Sequence, residues 1–94
     1  GGLGSRALAA YNPPMPRARI YVSLKASVFD PQGTTIEEAL HSLGYKDVGH
    51  VRQGKYFEVT LGAMPADKAR GVAEEIAQRV LSNPVIESYR VEVE

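Results

Sequence analysis

The residues with the most chemical potential lie in one run, "VFDPQGTTIEEALHSLG", Val28 to Gly44, where an aspartate, a glycine and two threonines precede a helical pattern. Free amides and hydroxyls at a helix start are the materials of a phosphate cradle. Asp30 followed by Pro31 points elsewhere. In this N-cap and first-turn arrangement the carboxylate accepts the free amides and proline has none to leave unpaired, so an anion finds its place taken. A start at Thr34 or Thr35, each with a glutamate three residues on, also fits capping-box spacing, and the Asp30 start is favoured over it. Gly33 has no local explanation, because glycine in a first turn weakens a helix unless something approaches closely.

The other reactive residue types do not assemble into a site. His41 lies off the apolar stripe of that helix and His50 shares the parity of Tyr56 and Glu58, so both are expected on exposed faces. No spacing of His, Asp and Glu brings three metal ligands together. Glu37-Glu38 and Glu74-Glu75 are neighbours on helices, about 100° apart, and cannot share one centre. No GxxxxGK[ST] loop occurs, and Ser23, Ser27, Ser42, Ser82 and Ser88 lack a nucleophile-elbow context. Catalytic, cofactor-binding and metal-ligating residues are therefore not expected in this chain.

Composition supports that expectation. The 94 residues are 44% hydrophobic, enough for one small domain that buries roughly 60–65% of its unfolded surface. Eleven basic residues balance eleven acidic ones, so the surplus of Lys and Arg that draws a domain to nucleic acid or anionic lipid is lacking. There is no cysteine, which removes disulfides and thiolate chemistry and suits a reducing interior. No apolar run approaches the roughly 18 residues of a membrane span. Residues 1–14, GGLGSRALAAYNPP, carry glycines, no acidic residue and no sustained period. They are read as an appended leader or disordered arm, with Met15 as the natural start and 15–94 as a single domain; a short natural helical arm over Ala7 to Tyr11 is the competing reading.

The elements that would position any site follow from hydrophobic period. Ile20, Val22 and Leu24 alternate with Arg19, Tyr21, Ser23 and Lys25, a strand with one buried face. Ile36, Ala39, Leu40 and Leu43 form a single helical stripe expected to face the core, and Gly44 follows where a left-handed cap is wanted. Phe57, Val59 and Leu61 alternate with Tyr56, Glu58 and Thr60. Gly49 and Gly54 interrupt this segment, which leaves open a hairpin around Gly54 or one bent strand. Ala69, Val72, Ala73, Ile76 and Val80 share one face of a second helix, opened by Pro65 and stopped by Asn83-Pro84, with Gly71 a place for close packing. Tyr89, Val91 and Val93 alternate in a closing strand.

The order is β-α-β(β)-α-β, an α+β fold of ferredoxin-like type: a largely antiparallel sheet with two helices on one face. The other face would show Tyr21, Ser23, Lys25, Tyr56, Glu58, Thr60, Ser88 and Arg90, and unprotected sheet edges favour dimerisation. An RNA-recognition fold would need alternating aromatics on the open face. Tyr56 and Phe57 are consecutive and point to opposite faces, so only Tyr56 could stack on a base.

Three runs carry a resemblance: "YVSLKASVFDPQGTTIEEALHSLGY", "VGHVRQGKYFEV" and "LSNPVIESYRVEVE". They resemble the PurS family, the small subunit of phosphoribosylformylglycinamidine (FGAM) synthase, from about Ala18 to Glu94. The most specific parts are Asp30-Pro31-Gln32-Gly33 with Ala39-Leu40 and Leu43-Gly44 behind it, Arg52 to Tyr56, and Asn83 to Glu87. Ala26-Ser27 depart from the proline-glycine pair more usual there, which affects loop shape. The resemblance implies a PurS-like fold and a non-catalytic assembly subunit acting in the cytoplasm, in purine biosynthesis. A large subunit would use ATP and Mg to amidate formylglycinamide ribonucleotide, and a glutaminase subunit would supply ammonia. The small subunit, as a dimer or dimer of dimers, would bridge the two and aid ammonia transfer, with neither nucleic acid nor membrane as partner. Candidate partner contacts are Tyr21, Arg52, Lys55 and Tyr56 on or beside the open sheet, with Asp30 and Gly33 at the helix start. In the competing view Arg52, Gly54 and Lys55 serve only the turn. The alternative from another class is an ACT-like module that binds a small regulatory molecule beside a helix start.

Overall fold

The computed structural model describes residues 15–94, so the expected leader over residues 1–14 lies outside the described residues. Three strands and two helices follow in the order β1 (Arg17–Leu24), α1 (Pro31–Ser42), β2 (Gly54–Thr60), α2 (Ala66–Ile76) and β3 (Glu87–Val93). The α+β architecture with an antiparallel sheet is as expected. β1 is central and pairs antiparallel with both neighbours, giving the sheet order β2-β1-β3. Its alternation decides the layers: Ala18, Ile20 and Val22 are buried, while Arg17, Arg19, Tyr21 and Ser23 point to the open face. Full burial of Ile20 and Val22 stabilises the fold by about 1.5–3 kcal/mol each.

Neither expectation for Gly54 holds. It is the first residue of β2, paired with Ser23, so there is no hairpin and no long bent strand. His50 stands in the irregular approach to β2, at φ 55°, and not on a strand face. A Cβ on Gly54 would stand 2.6 Å from the Val22 carbonyl oxygen. Glycine is what lets the strand begin so close to β1.

α2 covers the sheet through alanines. Ala69, Ala73 and Ala77 are each fully buried, and their four-residue spacing builds a smooth stripe that packs on β3 and β1. The helix then widens into a π turn over Ala77–Leu81, where the Ser82 amide donates to the Ala77 carbonyl at 2.9 Å. That extra residue shifts the face. Val80, expected in the core stripe, is 75% exposed, and after Ala77 it is Leu81 that packs against the core. Gly71 has no heavy atom near its missing Cβ, so it does not serve close packing.

α1 begins and ends as its sequence dictates. Asp30 is the N-cap and Pro31 opens the first turn. At the far end the amides of Gly44 and Tyr45 donate to His41 and Leu40 carbonyls, both at 3.0 Å, with Gly44 at φ 102°. This is a Schellman closure, and its left-handed residue favours glycine. The expectation that Ile36 to Leu43 face the core is corrected. Within α1 only Gly33 is buried, Ile36 is 40% and Leu43 74% exposed, and α1 has no extensive packing on a strand. The cause is the connection at both ends: the chain enters α1 from the end of β1 and returns to the start of β2, the same end of the sheet. A loop over residues 44–53 runs back along the helix instead.

Candidate functional site

The open face of the sheet is set by register. Tyr21 lies opposite Tyr56 on β2 and Arg90 on β3. The tyrosine rings meet at 5.1 Å between centroids, tilted by 38°, and the Arg90 guanidinium sits 4.2 Å over the Tyr21 ring, a cation–π arrangement. Arg19, one pleat along, lies between Glu58 and Glu92 and forms an ion pair with Glu94. Hydrogen bonding to the Glu92 carboxylate, followed by burial, raises the Tyr21 phenol above its ordinary value. The same bond lowers Glu92. Burial, and then the bond its hydroxyl donates to Glu58 at 2.9 Å, raises Tyr56. Both phenols are neutral near pH 7, so the face presents two tilted aromatic rings in contact within a balanced set of charges.

The end of the sheet holds the other candidates, and each has a task inside the chain. Asp30, buried at 5% exposure, accepts the Gly33 amide at 2.9 Å on Oδ1 and the Gln53 amide at 2.7 Å on Oδ2. Those amides, Gln53 first, hold its carboxyl below the usual value while burial opposes them. Gly33 is explained by close approach: a Cβ there would collide with the Val51 carbonyl oxygen and stand 2.8 Å from Asp30 Oδ2. Arg52 donates through Nη2 to the carbonyls of Lys25 and Val28 at 3.0 and 2.9 Å, clasping the turn between β1 and α1. The turn that Arg52, Gly54 and Lys55 were expected to serve is not formed, since Gly54 opens β2, and Arg52 serves the turn between β1 and α1 instead. His41 Nε2 lies 2.6 Å from the Val48 carbonyl, and Glu37 Oε1 accepts the Val51 amide at 3.3 Å, which ties the loop to α1.

Lys55 parts from Tyr56. It pairs with buried Val22 and so lies on the helix side of the sheet, 3.9 Å from Glu87 Oε2. With Asp30, Gln32, Gln53 and Glu87 it borders a cleft of about 270 Å³. The structure therefore divides the six candidates into two places: Tyr21 and Tyr56 on the open face, and Asp30, Gly33, Arg52 and Lys55 around the cleft end. Glu87 was not singled out from the sequence as a candidate, although it lies in the Asn83–Glu87 run. Its Oε1 accepts the Asn83 amide at 2.7 Å, and the Val85 amide donates to Asn83 Oδ1 at 3.0 Å. That run is an Asx-type turn which aims Glu87 at the cleft. Among the described residues no cluster of three His, Asp or Glu side chains could hold a metal ion.

Comparison with known proteins gives this arrangement a family. The model of the PurS family, phosphoribosylformylglycinamidine (FGAM) synthase, matches residues 17–94. Phosphoribosylformylglycinamidine synthase subunit PurS of Bacillus subtilis (strain 168) is 46% identical over 80 residues, covering 85% of this chain and 94% of the relative. The subunit from Methanocaldococcus jannaschii is 34% identical over 80 residues, 85% and 96% of the two chains. Among solved structures, B. subtilis PurS superposes with a TM-score of 0.76 over 85% of this chain and 99% of that one. A chain of PurLQS from Thermotoga maritima, 31% identical, does so at 0.79 over 86% and 99%. On the extent of these matches and on the shared fold, the chain belongs to the PurS family.

Proposed function

We propose that this chain is the small, non-catalytic subunit of an FGAM synthase, holding an ATP- and Mg-dependent large subunit and a glutaminase subunit together and aiding ammonia transfer between them. It works in the cytoplasm as a dimer or dimer of dimers. The observation that carries this reading is the match to a chain of the PurLQS structure across 99% of that chain. The chain's own chemistry agrees. Its ordered polar groups are spent on fastening loops and pairing charges across the sheet, and what it offers outward is surface: a Tyr21–Tyr56 face, a cleft end and two outer strands, β2 and β3.

Size-exclusion chromatography of the purified chain with the large and glutaminase subunits, in the presence of glutamine and ATP with Mg, tests this. A complex containing all three is expected. Separate elution of this chain, together with a thermal shift on adding an amino acid or a nucleotide alone, would overturn the assembly role in favour of the ACT-like regulatory module.

A further inference from the structure

The cleft at the end of the sheet holds charges that the fold does not use. Lys55 pairs with Val22 and Glu87 with Leu24, so a cation on β2 and an acid on β3 face each other across the helix side of β1. Lys55 Nζ and Glu87 Oε2 stand 3.9 Å apart, too far for a hydrogen bond. Only 13% of the Glu87 side chain is exposed. Its Oε1 accepts the Asn83 amide, while among the described residues no donor bonds Oε2. A sheltered carboxylate oxygen gains from a donor, and the nearest one in the chain, Lys55, is held off at ion-pair distance. Asp30 differs, since both its oxygens are taken by the Gly33 and Gln53 amides.

The rim adds a third group. The side-chain amide of Gln53 donates to Gln32 Oε1, which among the described residues leaves Gln32 Nε2 to donate and Gln53 Oε1 to accept, the complement of one further primary amide. We infer that this cleft binds a free α-amino acid with a carboxamide side chain. The ligand's carboxylate meets Lys55, its ammonium meets Glu87 Oε2 and its amide meets Gln32 and Gln53, with Val22 and Leu24 lining the space for its methylenes. Size agrees. The volume of about 270 Å³ is near the roughly 300 Å³ at the lower end of ligand pockets, and one lysine is too little charge to clamp a nucleotide's phosphates. Under the synthase reading such an amino acid is the nitrogen donor, but the inference rests on the cleft of this chain and not on that reading.

Heteronuclear NMR of the purified chain, titrated with L-glutamine and separately with L-asparagine, tests this. Amide shifts confined to the cleft, at residues 30–33, 53–55 and 86–88, are expected with at least one of them, at millimolar affinity. Glu87→Gln keeps an acceptor for the Asn83 amide and removes the charge; Lys55→Met keeps the stem and removes the ammonium. Each should weaken binding about tenfold or more. L-norvaline, which has no amide, and glutaramate, which has no ammonium, should bind as weakly to the native chain. No shifts with either amino acid, shifts elsewhere only, or equal affinity in Glu87→Gln would overturn the inference. Only this chain is titrated, so failure leaves the synthase reading untouched. Success leaves the assembly role standing, because that role falls only if the chain elutes apart from the other subunits.

Discussion

Asp30 Oδ2 accepts the backbone amide of Gln53 at 2.7 Å across 23 residues of chain, while its other oxygen caps α1 through Gly33. One carboxylate thereby sets where the helix begins and where the returning loop re-enters the sheet. The motif that looks like an anion cradle is filled by the chain's own anion.

Acid should release this fastening. The Asp30 carboxyl titrates below its ordinary value of 3.8 because the Gln53 and Gly33 amides favour its charged form. A depressed folded-state pKa contributes stability that is present above the unfolded value and lost as pH falls through the folded one. Thermal melts of the native chain should therefore decline as pH drops below about 3.8. Asp30→Asn should be less stable near neutrality, by roughly 5–10 °C in Tm, and decline less steeply in the acid window. Parallel curves for the two proteins would contradict the role given to this carboxylate.

Gly33→Ala places a methyl against the Val51 carbonyl and Asp30 Oδ2. Backbone lies on one side and a buried carboxylate on the other, so neither yields easily. Urea unfolding should show a loss of about 1–3 kcal/mol with an unchanged m-value. Stabilisation, the usual gain when alanine replaces glycine in a helix, would show that the loop does not sit where it is described.

Arg52→Lys should fail to rescue Arg52→Ala, because one outer guanidinium nitrogen, Nη2, bonds both carbonyls and the shorter lysine side chain ends before that point. A loss of about 1 kcal/mol is expected for either variant. Hydrogen exchange should quicken in the Lys25–Val28 turn, whose Val28 amide donates to Lys25 at 2.8 Å. Full protection there in Arg52→Lys would assign the tether to charge rather than to geometry.

The π turn gives a pair of opposite outcomes. Val80→Ser, at an exposed position, should change stability by no more than about 0.5 kcal/mol. Ala77→Leu, at a fully buried one, should lose about 1–3 kcal/mol by overpacking. A straight α-helix would turn Val80 inward beside Ala77 and make both positions sensitive, and chemical denaturation of both variants distinguishes the two.

Much of this was legible in the chain. Period-two alternation in β1 marked Ile20 and Val22 for the core, and Asp30-Pro31 with Gly44 marked both ends of α1, because caps and alternation are local physics. The misplaced residues depend on long-range facts. Val80 moves outward because of one π turn, which no side chain announces. The α1 stripe is apolar as the sequence says, but periodicity gives a face and not the surface that covers it. Lys55 is expected with Tyr56 on or beside the open sheet, but neighbours on a strand point to opposite sides, and Lys55 shares the side of Val22. Glu87 came to the cleft through a turn 32 residues further on from Lys55, a distance no spacing rule reads.

The central claim is that this chain acts by joining two other subunits. The direct measurement is FGAM formation by the large and glutaminase subunits, with and without this chain, using glutamine and then ammonium as nitrogen source. The account predicts that glutamine-dependent turnover requires the chain and falls several-fold with Tyr21→Ala and Tyr56→Ala together, while turnover from ammonium changes little. Equal glutamine-dependent turnover in its presence and absence would contradict it.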